Sequence, residues 1–224
     1  MRYIDPNGMY LDDYVFNEEG RFIKRIINNT PDRIIIDNSK TNQRTIISFA
    51  DPVNDPKNID SNTKINFVSD NEISEILVDA GVYNRENQGI EKGVKYLQRE
   101  SDASSLKGDG NMDFAGNGRN KIDVSGKTLY VTKTKKDGYV AHNGYNFGNF
   151  LWGAGEDALG VPMSLARFGA HLNNFFNDPK YKGHLDSKDD QYSIKVGFNW
   201  GKYPNSKLSE GFLFFLRQYP NVNP

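Results

Sequence analysis

The chain has 224 residues, enough for one large domain or two small ones, and it contains no cysteine, which excludes disulfides, thiolate metal sites and a cysteine nucleophile. Hydrophobic residues make up 37 %, and the longest strongly apolar run, "GFLFFL" at 211–216, falls far short of the ~20 residues of a membrane span. The net charge of −1 is unevenly spread: residues 1–118 sum to −6, residues 119–138 to +4 and residues 139–224 to +1. The basic strip around "KTLYVTKTKK" is therefore either a footprint for a polyanion or an edge strand kept soluble by its lysines.

"MRYIDPNGM" lacks the apolar core of a signal peptide, so export would use another route. "YVFNEEGRFIKRIIN", "DRIIIDN" and "RTIISF" are β-branched runs separated by Glu-Gly, Asp and Asn turns, which predict an antiparallel meander of three or four strands. "DPVNDPKNIDSNTK" is a loop, because Pro52 and Pro56 exclude helix. A helix follows over "SDNEISEILVDAGV", opened by a Ser69/Glu72 capping box, lined by Ile73, Ile76, Leu77 and Ala80 and closed by Gly81. "IEKGVKYLQRE" is a second helix. The Gly-, Ser- and Asn-rich stretch 101–127 is either a connection or a pair of strands, "MDF" and "KIDV", on long turns.

From Tyr139 to Trp200 the composition changes, and both tryptophans and all three histidines lie there. "YNFGNFLWGAGEDALG" at 145–160 has helical spacing at Phe147, Phe150, Leu151, Ala154 and Ala158, yet Gly148, Gly153 and Gly155 interrupt it, each at a cost of about 1 kcal/mol relative to alanine. Such glycines mark places where another backbone or a substrate comes close. Gly148 and Gly155 lie two turns apart on one face, and they predict a groove for a neighbouring helix. A second helix starts near Pro162, with Leu165, Phe168, Leu172, Phe175 and Phe176 on its inner face and Ser164, Arg167, His171 and Asn174 as a polar stripe. A third opens at Ser187 and Asp190, with Ile194 and Phe198 inward. The expected class is α+β, with a strand-rich N-terminal half and a mainly helical C-terminal module.

Two stretches resemble known families. Asp5, Pro6, Asn7, Gly8 and Met9 resemble the element that closes an Rhs/YD-repeat core before a variable C-terminal cargo. Gly148, Asn149, Phe150, Trp152, Gly153, Gly160, Gly169, Ala170, Asp190, Gln191, Ile194 and Gly197, within about 138–202, resemble the signature of the polymorphic toxin type 44 domain. The resemblances imply three segments: a core remnant at 1–12, a strand-rich linker with two helices at 13–118, and a toxin module at 119–224. They imply a toxin of interbacterial competition that is exported by a specialised secretion system in an Rhs carrier. It would act in the recipient cell as a nuclease, with RNA as the expected substrate, and be held in check by a cognate immunity protein.

Metal-independent RNA cleavage needs a base, an acid and a cation on the phosphate, and histidine suits the first two roles. His142 and His171 are the candidates, with Arg167 one turn before His171, Asp190 as the best single acid, and Asn149, Trp152, Gln191 and Lys195 as substrate contacts. For each the alternative is structural: a strand end for His142, a solvated helix face for Arg167 and His171, a helix-dipole partner for Asp190. His184 lies in a loop and reads as having no role. Asp186, Asp189 and Asp190 could hold a divalent metal, but their spacing assigns none, and no cofactor is expected. The enzymatic alternative is a peptidoglycan hydrolase, using Glu156 or Asp157 with Asp190 as its carboxyl pair. The non-enzymatic alternative is an adaptor or scaffold.

Overall fold

Seven strands and five α-helices are arranged in a computed structural model that describes residues 12–28, 31–82, 89–101, 110–115, 122–134, 138–176 (backbone only from 172) and 187–200. The Rhs-like element at Asp5–Met9, His184, Asp186 and the apolar run 211–216 lie outside the described residues. The chain divides into two compact units, residues 1–68 with 123–146 and residues 69–122 with 147–224.

The first unit is one mixed sheet, in the order β2-β1-β3-β4-β7-β6-β5. Its strands are β1 (Asp12–Asn17), β2 (Phe22–Ile27), β3 (Arg33–Asn38), β4 (Gln43–Phe49), β5 (Lys64–Phe67), β6 (Thr128–Lys133) and β7 (Tyr139–His142). The predicted runs form the first four strands, but they are not an antiparallel meander. β1 pairs antiparallel with β2 and parallel with β3, and β3 pairs antiparallel with β4. Side-chain chemistry accounts for this order. β1, "DDYVFN", is buried at five of its six positions and needs a neighbour on both sides, whereas β2, "FIKRII", carries Lys24 and Arg25, is exposed at five of six and suits an edge.

β6 and β7, from the segment expected to open the toxin module, complete this same sheet, β7 lying parallel to β4 and β6 parallel to β5. Tyr14, Phe16, Ile34, Ile36, Ile47, Phe49, Ile65, Leu129, Val131 and Ala141 alternate onto one face and form its core. The sheet curls until its edges touch. Arg21 bridges to Lys64, and the Ile65 N–H donates to the Gly20 carbonyl at 2.8 Å. Gly20 has φ +74°, and a Cβ there would run into the Ile65 carbonyl, so this turn position requires glycine. At one end of the sheet Asp12 pairs with Arg25, and Asp13 with Arg33 at 2.7 Å.

The second unit holds α1 (Asp70–Asp79), α2 (Ile90–Glu100), α4 (Met163–Phe176), α5 (Lys188–Trp200) and all but the first three residues of α3 (Gly144–Ala158). α1 begins with the predicted reciprocal capping box: the Glu72 N–H donates to Ser69 Oγ at 3.2 Å, and the Ser69 N–H to Glu72 Oε2 at 2.7 Å. Neither Met112–Phe114 nor Ile122–Val124 is a strand; Met112 and Phe114 are buried anchors of a turn.

The glycines of α3 are explained by what lies against them. A Cβ on Gly153 would overlap the backbone of Ile194 on α5, and a Cβ on Gly197 of α5 would overlap the backbone of Phe150 on α3. The two helices thus meet main chain to main chain. Gly148 and Gly155 instead receive Ala115 and Met112, so the expected groove is filled by the 110–115 segment and the neighbouring helix enters at Gly153. α4 is turned differently from expectation. Leu165 and Phe168, expected inside, are 40 % and 57 % exposed, and Ala166 is buried in their place. Among the described residues no helix is long and apolar enough to cross a membrane.

Gly153→Ala should cost about 2–3 kcal/mol in a urea unfolding titration, because the methyl group meets backbone that cannot step aside. Gly169→Ala, an exposed helical position with nothing within 4 Å of the added methyl, should instead stabilise by up to about 1 kcal/mol. Equal midpoints for the two variants would contradict the close approach of α3 and α5.

Candidate functional site

Four of the eight candidate residues come together where α3, α4 and α5 converge. Ser187 precedes α5, and its hydroxyl accepts from the Asp190 N–H at 3.2 Å while donating to Asp190 Oδ2 at 2.5 Å. The other carboxylate oxygen of Asp190 accepts from Asn149 Nδ2 on α3 at 2.6 Å. One residue further along, Gln191 is buried, and its Oε1 accepts from Arg167 Nε on α4 at 2.6 Å. The N-terminus of α5 is thereby tied to α3 through Asp190 and to α4 through Gln191.

This arrangement sorts the candidates by what their atoms are free to do. Both oxygens of Asp190 already accept hydrogen bonds, and its negative charge lies in the first turn of α5, where the helix dipole favours it. It thereby ties the first turn of α5 to α3. Arg167 is exposed and engages a neutral amide, which orients its charge, and it makes no ion pair among the described residues. His171 lies one turn on from Arg167, half-buried, and its Nδ1 has no hydrogen-bond partner among the described residues. Lys195, one turn after Gln191, is exposed and makes no ion pair among the described residues. Trp152 is turned elsewhere, donating from Nε1 to Ser101 Oγ at 2.6 Å at the end of α2. That contact ties α3 to the end of α2.

His142 belongs to the other unit. It ends β7 fully buried, with Nε2 at 3.1 Å from Thr132 Oγ1, and burial pushes its pKa down to about 3. At neutral pH its ring carries no charge and presents no surface, so it has neither a proton to give nor access to a substrate phosphate. The alternation of "YVAH" did not signal this, because Ala141 faces the sheet's core and His142 the opposite face, which is buried as well.

Glu156 emerges as the unexpected group. It is fully buried on α3, neither carboxyl oxygen has a hydrogen-bond partner among the described residues, and burial raises its pKa well above the ordinary carboxyl value. The carboxyl is therefore held neutral. Among the described residues no group of three or more His, Asp or Glu is arranged to hold a metal ion.

Comparison with protein-family models, with curated proteins and with solved structures returns no match. The functional reading therefore rests on the residues themselves.

Two outcomes follow from the buried groups. As pH rises past the ordinary carboxyl pKa, unfolded Glu156 loses its proton while the folded residue keeps it, so stability falls by up to about 1.4 kcal/mol per pH unit until the folded pKa is reached. Glu156→Gln should match the wild type near pH 4 and melt at a higher temperature from pH 6 upward, as read by calorimetry across pH. Asn149→Ala removes one partner of Asp190 and should cost about 1–3 kcal/mol of stability, measurable by denaturant titration.

Proposed function

We propose that this chain is the toxin module of an Rhs-associated polymorphic system and that it cleaves RNA, with the seam between α4 and α5 holding the phosphodiester. The observation that carries the reading is the Arg167 guanidinium, fixed through Nε by Gln191 while the adjacent carboxylate of Asp190 is occupied by Asn149 and Ser187. A cation that is held in place and makes no ion pair among the described residues suits the negative charge that develops on the non-bridging oxygens during phosphoryl transfer.

In this mechanism Arg167 and Lys195 bind phosphate and His171 takes the proton from the 2′-hydroxyl. The 2′-oxygen attacks phosphorus, the bond to the 5′-oxygen breaks, and that oxygen is protonated by water, leaving a 2′,3′-cyclic phosphate and a 5′-hydroxyl end. Asp190 and Gln191 position the cation, and His142 takes no part. Such a module would travel in an Rhs carrier, act in the recipient cell and be neutralised by a cognate immunity protein. The glycosidase alternative is less well supported, because Glu156 has no exposed surface and Asp190 has no oxygen left unengaged.

The test is digestion of total RNA by the full chain, with fragment ends identified chemically. Cleavage to cyclic phosphate ends is expected, with Arg167→Ala reducing the rate by roughly 100-fold or more and Lys195→Ala mainly raising KM. Induction in the cytoplasm of a bacterial host should arrest growth, and Arg167→Ala should relieve the arrest. Intact RNA after incubation with the wild-type chain, or an Arg167→Ala variant as active as the wild type, would overturn the reading.

A further inference from the structure

Two aromatic rings stand in solvent beside this seam. Phe168, next to Arg167 on α4, is 57 % exposed, and Tyr192, next to Gln191 on α5, is 43 % exposed. Neither touches another ring or a cation among the described residues. Phe168 is more than half exposed, whereas Ala166, two residues earlier, is buried. The surroundings of Tyr192 are equally specific. Lys188, four residues before it, and Lys195, three residues after it, share its side of α5, and both are exposed without an ion pair among the described residues. α4 and α5 pack together, joined by the Arg167–Gln191 hydrogen bond, and each ring belongs to the residue that follows one of the bonded pair.

We infer that Phe168 and Tyr192 are base-stacking platforms and that the α4–α5 seam selects single-stranded nucleic acid, its unpaired bases lying on the two rings while Arg167, Lys188 and Lys195 follow the phosphates. The inference deepens the proposed function and rests on it. Its physical ground is that a duplex hides the faces of its bases and offers an aromatic side chain only edges and backbone, whereas an unpaired base presents a π-face to any ring that can reach it. Lysines on both sides of Tyr192, without ion pairs among the described residues, match a strand whose phosphates recur on either side of each base. An acidic protein surface could also use such cations and rings, and the comparison of single strand with duplex below separates the two.

The experiment is fluorescence anisotropy of the full chain with a labelled 2′-O-methyl ribonucleotide strand about 12 nucleotides long, which cannot be cleaved through its 2′-oxygen, and with the same strand annealed to its complement. The single strand should bind more tightly than the duplex. Phe168→Ala and Tyr192→Ala should each weaken single-strand binding on the order of tenfold and leave duplex binding unchanged. Phe168→Trp and Tyr192→Phe should bind like the wild type, and both exposed positions should tolerate these changes without loss of fold. Arg167→Ala should weaken both forms. If the alanine variants bind the single strand as tightly as the wild type while Arg167→Ala does not, the stacking inference falls, the nucleic-acid reading stands, and the rings are left to a protein partner. If neither form binds at all, both fall.

Discussion

The main-chain contact of α3 with α5 at Gly153 and Gly197 is the constraint on which the helical unit depends. With side chains removed at both points, Ile194 and Phe150 bring their backbones against the opposing helix. Only at that separation does the short side chain of Asn149 reach Asp190. Asp190 in turn holds the first turn of α5, and Gln191, next in sequence, is aimed at Arg167 on α4. An added methyl group at either glycine would push the helices apart and loosen every hydrogen bond at the joint, although none of those bonds involves a glycine. The helix-propensity cost of the glycines is therefore offset by the geometry they permit.

The sheet unit solves a different problem by related means. A seven-stranded sheet has two edges, and curling lets them meet at Gly20 and Ile65. Closure at that point takes backbone groups of both edges out of solvent, and the remaining length of β2 carries Lys24 and Arg25 between the exposed Ile23, Ile26 and Ile27. The β-branched residues that make these strands legible also fill the sheet's core, so its stability comes from the same apolar alternation that predicts it.

Two buried titratable groups illustrate how environment overrides residue type. A histidine near a strand end and a glutamate inside a glycine-rich helix both look like acid–base candidates when only their chemistry is known. Burial holds each in its neutral form, His142 beside Thr132 and Glu156 without a partner among the described residues. Desolvation penalises charge wherever it acts, and neither periodic pattern announced it: His142 lies on the strand face opposite Ala141, and Glu156 lies off the Phe147, Phe150, Leu151 and Ala154 stripe of α3. The groups suited to handling an anion are instead the exposed ones, on two helices whose polar stripes meet.

Local chemistry was written in the sequence. The Ser69/Glu72 capping box, the Ser187 start of α5, the four β-branched runs and the inward Ile194 and Phe198 are all set by interactions within a few residues, and they formed as read. Strand order was not legible, because which run becomes central depends on what covers its two faces. The orientation of α4 escaped for a similar reason: its apolar stripe fixes two faces, but packing decides which one turns inward. The same limit applies to the candidate site. Arg167, Asn149, Asp190 and Gln191 could each be named from sequence, but whether a charge is neutralised depends on partners 24 and 41 residues away. Residue type and spacing determined which groups were available, and only the tertiary structure decided that Asp190 would be held by Asn149 and Ser187 and Arg167 by Gln191, because pairing is settled by distances that the chain acquires on folding.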